Sequence, residues 1–402
     1  AHGLDAGALA ARLATDPDVE YAEPVRRARR LAAPNDPLFA AVSAPSGPAA
    51  GQWYLRAPAG EVVSAINAVG AWDVHTGSGD VVVAVLDTGV RRTHPDLAGK
   101  LLTGYDFVSN RTIANDGGGR DIDPSDPGDW LTQAEIDADP TFWEGCARAD
   151  SSWHGTQVTG IVAAATDNGI GMAGSGRHVR VLPLRVLGKC FGETPDINAA
   201  IRWAAGAAVP GVPDNPTPAK VINLSLGSSG ACSADDQDAV NEALARGAVV
   251  VAAAGNTAGR AVGSPANCAG VIGVAALRHI GTKVGFSDIG PEIKIAAPGG
   301  NCVNVGADEP CLYPILTTLD SGTRGPSAAS YSDSFNISVG TSFSSPLVAG
   351  TAALLYSIKP DITPAQVLAG LQSTARRFPA SGVEPDPFTG QIVACQTPGT
   401  FD

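Results

Sequence analysis

From residue 81 onward, short continuous apolar runs alternate with longer stretches in which apolar and polar residues recur at helical spacing. The runs 81–86, 179–186, 221–226, 249–254, 271–276 and 293–296 are rich in Val, Ile and Ala and read as strands. Helices are predicted over 155–165, 195–207, 234–246, 343–357 and 364–376. Thr194-Pro195 and Ser233 suit helix starts, and Gly206 and Gly247 stand where helices should stop. Strands that are apolar throughout, separated by helices, imply a parallel sheet covered on both faces. No internal repeat is visible.

The first 31 residues have a different character. Residues 6–13 read as a short helix, 18–23 as a strand, and Arg26-Arg27-Ala28-Arg29-Arg30 as a basic run. A Pro/Ala/Gly-rich stretch over 32–51 then reads as a linker.

Composition narrows the classes. Of 402 residues, 44% are apolar and 17% charged, enough for a large core and unlike a disordered chain. The net charge of −13 argues against nucleic-acid or anionic-membrane partners, which select a basic face. The apolar runs are too short to span a bilayer. The 48 Gly and 30 Pro carry no G-X-Y period, so they mark turns rather than collagen. Seven Cys without C-x-x-C spacing point to an oxidising compartment, and their odd number leaves one without a partner in the chain. The chain starts at Ala1, not Met, with no targeting pattern, and reads as a fragment or processed form whose targeting segment is already gone.

In open parallel sheets, ligands bind at the carboxyl ends of strands. The run 81–86 ends in Asp87-Thr88-Gly89, and 249–254 ends in Gly255-Asn256. His154 opens one helix, and Ser342, within Gly340-Thr341-Ser342, opens another. Hydroxyl, imidazole, carboxylate and amide are the parts of acyl transfer: nucleophile, proton carrier, its orienter, and an oxyanion donor. The chain order Asp87, His154, Ser342 differs from the Ser…Asp…His order of α/β-hydrolases.

Four segments, Val83-Ala-Val-Leu-Asp87-Thr-Gly-Val, His154-Gly-Thr-Gln-Val-Thr-Gly, Ala252-Ala-Ala-Gly-Asn256 and Gly340-Thr-Ser342-Phe-Ser-Ser-Pro346, closely resemble the subtilisin-like serine proteases, in order, over residues 53–377. The resemblance implies an α/β fold, a three-layer αβα sandwich around a mostly parallel seven-stranded sheet. It implies a serine endopeptidase with Asp87 as orienter, His154 as general base and acid, and Ser342 as nucleophile. Asn256 and the Ser342 backbone N–H would hold the oxyanion. Ser225, Leu226 and Gly227 match the edge that pairs with substrate backbone. With Ala253, Ala254 and Gly255 they would wall the pocket for the side chain before the scissile bond. Such backbone pairing favours broad specificity for protein or peptide substrates. Gln157 stands where the family usually has His, and Phe343-Ser344 where it has Met-Ala.

The resemblance also implies structural calcium, Ca2+, held by Asp96 and by the turn with Thr166, Asn168, Ile170 and Met172. A second candidate is the loop with Asp121, Asp123, Asp126 and Asp129, which reads equally as a solvated acidic turn. Residues 1–31 resemble the end of a propeptide that would be the chain's own inhibitor and partner. The division expected is then 1–31 propeptide remnant, 32–51 linker and processing region, and 52–402 catalytic domain of a monomer. The expected disulfides are Cys146–Cys190, Cys232–Cys268 and Cys302–Cys311, although six cysteines allow fifteen pairings. Cys395 is then left over. Gly169-Ile-Gly171-Met-Ala-Gly174 spells a dinucleotide fingerprint but follows a helix rather than a strand, the wrong context. The rival functions are a silent binding module of the same fold and a non-peptidase acyl hydrolase, whose usual G-x-S-x-G elbow the Ser342 segment lacks.

Overall fold

In the computed structural model, which describes residues 6–23, 33–40, 50–302 and 311–378, the apolar runs become one wholly parallel sheet. Its strands are β1 Val82–Asp87, β2 Tyr105–Asp106, β3 Arg180–Arg185, β4 Val221–Leu224, β5 Val249–Ala253, β6 Ile272–Leu277 and β7 Ile293–Pro298. They lie in the order β2-β3-β1-β4-β5-β6-β7. From β1 the chain builds outward first on one side and then on the other, so the carboxyl end of β1 lies at the topological switch point. The two-residue β2 has no apolar run to announce it. It forms because Tyr105 and Asp106 pair with Leu184 and Arg185. A separate antiparallel pair, β8 Thr318–Asp320 and β9 Ala329–Tyr331, completes the strands.

The chain divides into Ala1–Ala32 and Ala33–Asp402. Within the first unit, α1 Ala6–Leu13 is the predicted helix, but residues 18–23 form no ladder among the described residues. In the second unit follow α2 Ala68–Trp72, α3 Arg111–Ala114, α4 Gln133–Ala138, α5 His154–Ala163, α6 Thr194–Ala204, α7 Ala234–Ala245, α8 Thr341–Ile358 and α9 Pro364–Thr374. Ser233 and Thr363 start α7 and α9 with reciprocal capping boxes, and Gly206 and Gly247 follow α6 and α7 at positive φ.

Alternate residues of β1 explain the layering. Val83 and Val85 pack with Val158 and Ile161 of α5 and with Leu347 and Ala352 of α8. Val82, Ala84 and Leu86 point the other way, into Ala200 and Trp203 of α6 and Val240 and Ala243 of α7. Each face of the sheet is thus sealed by a helix pair, and both α5 and α8 are buried nearly all round.

Within the stretch read as a linker, residues 33–40 belong to the second unit and pack into it. Phe39 enters the core, and the Leu38 N–H donates to the Gly171 carbonyl at 2.8 Å. All three expected disulfides are present. Cys395 lies outside the described residues, as does the basic run at 26–30.

Candidate active site

Asp87 ends β1 with its side chain almost wholly buried. Its Oδ1 accepts from His154 Nδ1 at 2.7 Å and from the Thr88 N–H at 2.8 Å. His154 is the first residue of α5 and its ring is partly open to solvent. With Nδ1 engaged on the carboxylate, Nε2 faces the cleft. The residue before it, Trp153, sits at φ +53°, a conformation that costs an aromatic residue energy. Its buried indole donates to the Gly322 carbonyl at 2.6 Å, and Gln157 Nε2 donates to the Ser152 carbonyl at 2.8 Å. These two bonds fix the entry of the chain into α5. Burial alone would lower the His154 pKa. The charge and hydrogen bond of Asp87, with Asp129 and Asp126 behind it, outweigh burial and raise it.

Ser342 is the second residue of α8, the other buried helix. Pro346 within α8 has no N–H to bond the carbonyl of Ser342, four residues back. That carbonyl instead accepts from Ser225 Oγ at 2.7 Å, and Ser342 Oγ donates to the Ser225 carbonyl at 3.1 Å. The Ser342 hydroxyl is therefore held at the end of β4 and makes no hydrogen bond to His154 in this structure. Catalytic contacts are often this loose before substrate binds.

Asn256 Oδ1 accepts from the Thr341 N–H at 2.9 Å and from Thr341 Oγ1 at 3.0 Å. Its Nδ2 donates to nothing among the described residues. Gly340 has φ +154°, and a Cβ there would lie 3.5 Å from Asn256 Nδ2 and 3.7 Å from the Ser342 nitrogen. Two free donors thus surround one point that glycine keeps open, the arrangement an oxyanion needs.

Ser225, Leu226 and Gly227 line a cleft of about 440 Å3 together with His154, Leu187 and Phe191. Among the described residues, the backbone groups of Leu226 and Gly227 have no partner, so this edge is open to a further strand. Ala253 and Ala254 are buried at the end of β5 and do not line that cleft. Gly255 lies beside Asn256, its N–H donating to Thr341 Oγ1 at 3.2 Å.

The two acidic turns differ. Asp96 and Asp36 are both buried and converge on the turn after α5. Asp96 accepts from Asn168 Nδ2 at 2.9 Å and the Met172 N–H at 2.7 Å, and Asp36 from the N–H groups of Asp167 at 3.0 Å and Asn168 at 3.3 Å. Burial pushes the Asp96 carboxyl up to about 6, with the nearby Asp36 adding to the shift, and burial also raises Asp36. The carbonyls of Thr166, Ile170 and Met172 accept nothing among the described residues. At Gly171 a Cβ would fall 2.1 Å from Asp96 Oδ2, so glycine keeps the cradle open. Buried carboxylates beside unpartnered carbonyls fit a hard cation.

Asp121, Asp123, Asp126 and Asp129 already serve as acceptors within their own loop. Asp121, Asp123 and Asp126 each accept from the N–H two residues on, and Asp129 accepts from Ser152. Local turns consume these carboxylates one by one. Among the described residues, the sole trio of His, Cys, Asp or Glu ligand atoms within 4.8 Å of one another is Cys232, Asp236 and Cys268, and its two sulfurs are bonded together.

Asp36 escaped the sequence reading because it lies 131 residues from its partner Asp167 in a stretch that looks like a linker. Its faint signal is an Asn-Asp pair before the apolar Leu38-Phe39.

A model described as the subtilase family matches residues 78–390. The chain is similar to an extracellular protease of Xanthomonas campestris, 47% identical over 298 residues, 74% of this chain and 47% of that protein. It is also similar to an extracellular basic protease of Dichelobacter nodosus, 38% identical over 371 residues, 91% of this chain and 56% of the other. The chain thus spans about half the length of these two curated relatives. Thermitase of Thermoactinomyces vulgaris is 33% identical, over 74% of this chain and 81% of its own. Among solved structures, a protease from Pseudoalteromonas arctica aligns with a TM-score of 0.76 at 46% identity, over 87% of this chain and 94% of that one. Matched along most of its length by sequence and by fold, the chain belongs to the subtilase family.

Proposed function

We propose that the chain is a serine endopeptidase. The observation that carries this reading is the Asp87–His154 bond at 2.7 Å, with Ser342 hydrogen-bonded to Ser225 on the cleft that His154 lines and the donors Asn256 Nδ2 and Ser342 N paired beside Gly340. An extended peptide adds as a strand to Leu226 and Gly227, which reads backbone more than side chains. Ser342 Oγ leaves the Ser225 carbonyl and attacks the scissile carbonyl as its proton passes to His154 Nε2. Asn256 Nδ2 and the Ser342 N–H hold the oxyanion. The C–N bond breaks as His154 returns the proton to the leaving nitrogen. Water then repeats the sequence on the acyl-enzyme, releasing the acid and restoring the Ser342 hydroxyl.

Asp36, Asp96, Asn168 and the carbonyls of Thr166, Ile170 and Met172 would hold one calcium ion, which supplies structural stability by neutralising two buried carboxylates. Residues 1–31 are the end of an inhibitory propeptide, and 52–402 the monomeric catalytic domain. Two relatives are named extracellular proteases, and among the described residues no helix is long and apolar enough to cross a membrane; secretion agrees with both.

The test is labelling with a fluorophosphonate probe, wild type against Ser342→Ala, followed by casein. Labelling confined to wild type, with casein cleaved, is expected. Ester turnover without casein cleavage would indicate an acyl hydrolase instead. No labelling of the whole chain or of one starting near Asn35 would leave a silent module.

A further inference from the structure

The side chain of Asn256 is held at its oxygen by Thr341, but its backbone sits in a loop that a different residue organises. Asp288, 3% exposed, reaches that loop from the segment between β6 and β7. Its Oδ1 accepts from the Thr257 N–H at 3.1 Å, from Thr257 Oγ1 at 2.9 Å and from the Arg260 N–H at 3.0 Å. Its Oδ2 also lies within hydrogen-bond distance of both Thr257 donors, at 3.1 and 2.9 Å. The Asp288 N–H in turn donates to the Gly255 carbonyl at 3.0 Å. Asp288 therefore bonds the residues on both sides of Asn256.

The fit is mutual. Gly255 has φ +110°, and a Cβ there would fall 2.3 Å from Asp288 Oδ2, so loop and carboxylate leave each other no slack. Asp288 is itself anchored. Ser287 Oγ accepts from the Ala276 N–H of β6 at 2.9 Å and donates to the Asp288 carbonyl at 3.1 Å. The buried Lys283 ammonium donates to the carbonyls of Val284, Gly285 and Ser287, bracing the chain just before it. A rigid path thus runs from the sheet through Asp288 to the loop that presents the amide.

We propose that Asp288 is a positioning residue for the oxyanion donor Asn256. It touches no reacting atom and acts by holding residues 255 and 257 so that Nδ2 stays on the point beside Gly340. A buried carboxylate suits this task because it accepts several donors at once, and charge-assisted bonds are shorter and stiffer than neutral ones. An amide in its place would turn one acceptor into a donor aimed at other donors. The inference rests on the serine-peptidase reading above.

The experiment is a double-mutant cycle with Asp288→Asn and Asn256→Ala, rates normalised to sites titrated by fluorophosphonate so that unfolded protein does not count. Removing one oxyanion donor costs on the order of 10²–10³ in kcat, a magnitude taken from subtilisin rather than from this chain. Asp288→Asn is expected to lower kcat by about 10-fold with KM changed less than about two-fold, since only transition-state binding is lost. In the Asn256→Ala background the same change should cost less than about two-fold, because there is no amide left to misplace. An equal loss in both backgrounds, a loss confined to KM, or no loss would overturn the proposal. If Asp288→Asn does not fold, Thr257→Val, which removes one hydroxyl donor, enters the same cycle with the same outcomes. A wild type that neither labels nor cleaves casein would defeat the peptidase reading instead, while an active wild type without coupling defeats only the role of Asp288.

Discussion

The two halves of the proposed site use hydrogen bonds in opposite ways. On the Asp87–His154 side the orienting bond is already made, Asp87 Oδ1 accepting from His154 Nδ1 at 2.7 Å. On the Asn256–Ser342 side two donors are kept free around the point beside Gly340. The engaged side sets a tautomer that must be right before substrate arrives. The free side waits for charge that exists only in the transition state, and a donor already satisfied would gain nothing from it. Both halves depend on second partners: Trp153 and Gln157 for one, Thr341 and Asp288 for the other.

The largest expected effect breaks the engaged side. Asp87→Asn should lower kcat by about 10⁴-fold by favouring the wrong imidazole tautomer, with circular dichroism unchanged. Asn256→Ala should lower kcat by about 10²–10³-fold while leaving KM within about three-fold, since it removes a donor used only on the oxyanion. Steady-state kinetics on one peptide substrate separates the two. A large KM change for Asn256→Ala would place the amide in ground-state binding and blur the contrast.

A smaller effect sharpens the contrast between the two acidic turns. Chelation should lower the melting temperature, by the equivalent of about 2.7 kcal/mol where calcium had stood a hundredfold above its Kd. Asp96→Ala should abolish that response, and Asp121→Asn should leave both it and the stability unchanged within about 0.5 kcal/mol. Calorimetry with and without chelator decides; an intact response in Asp96→Ala would remove the site from this turn.

The smallest effect concerns pH. Because the His154 pKa is raised in the folded state, the ion pair stabilises the fold below the ordinary histidine value. That contribution is lost as pH rises through the raised one. Activity runs the other way, since a general base must be neutral, so the acid limb of kcat/KM should lie above the ordinary histidine value. Asp129→Asn removes one of the charges that raise it, and the limb should move to lower pH. A limb that stays put would mean that Asp129 does not help to set it.

Much of this was legible from residue order. The apolar runs placed six strands within a residue or two, because a strand buried on both faces is mostly apolar, Asn223 and Arg185 being buried exceptions. The residues proposed as triad and oxyanion amide stood out because each falls where a strand ends or a helix begins. The three disulfides match the expected pairs, although residue order alone does not fix them. The carboxylates were legible as residues but not as sites. Asp96 and the loop from 121 to 129 look alike on paper, yet only Asp96 meets a second buried acid.

The sequence by itself determined the sheet, the order of catalytic parts and the family, since these depend on local period and on short segments whose chemistry is complete in a few residues. Tertiary structure alone decided that Asp36 joins Asp96 across the chain and that Asp288 grips the loop of Asn256. A hydrogen bond acts over about 3 Å, and no pattern along the chain reports which distant residues folding brings within that reach.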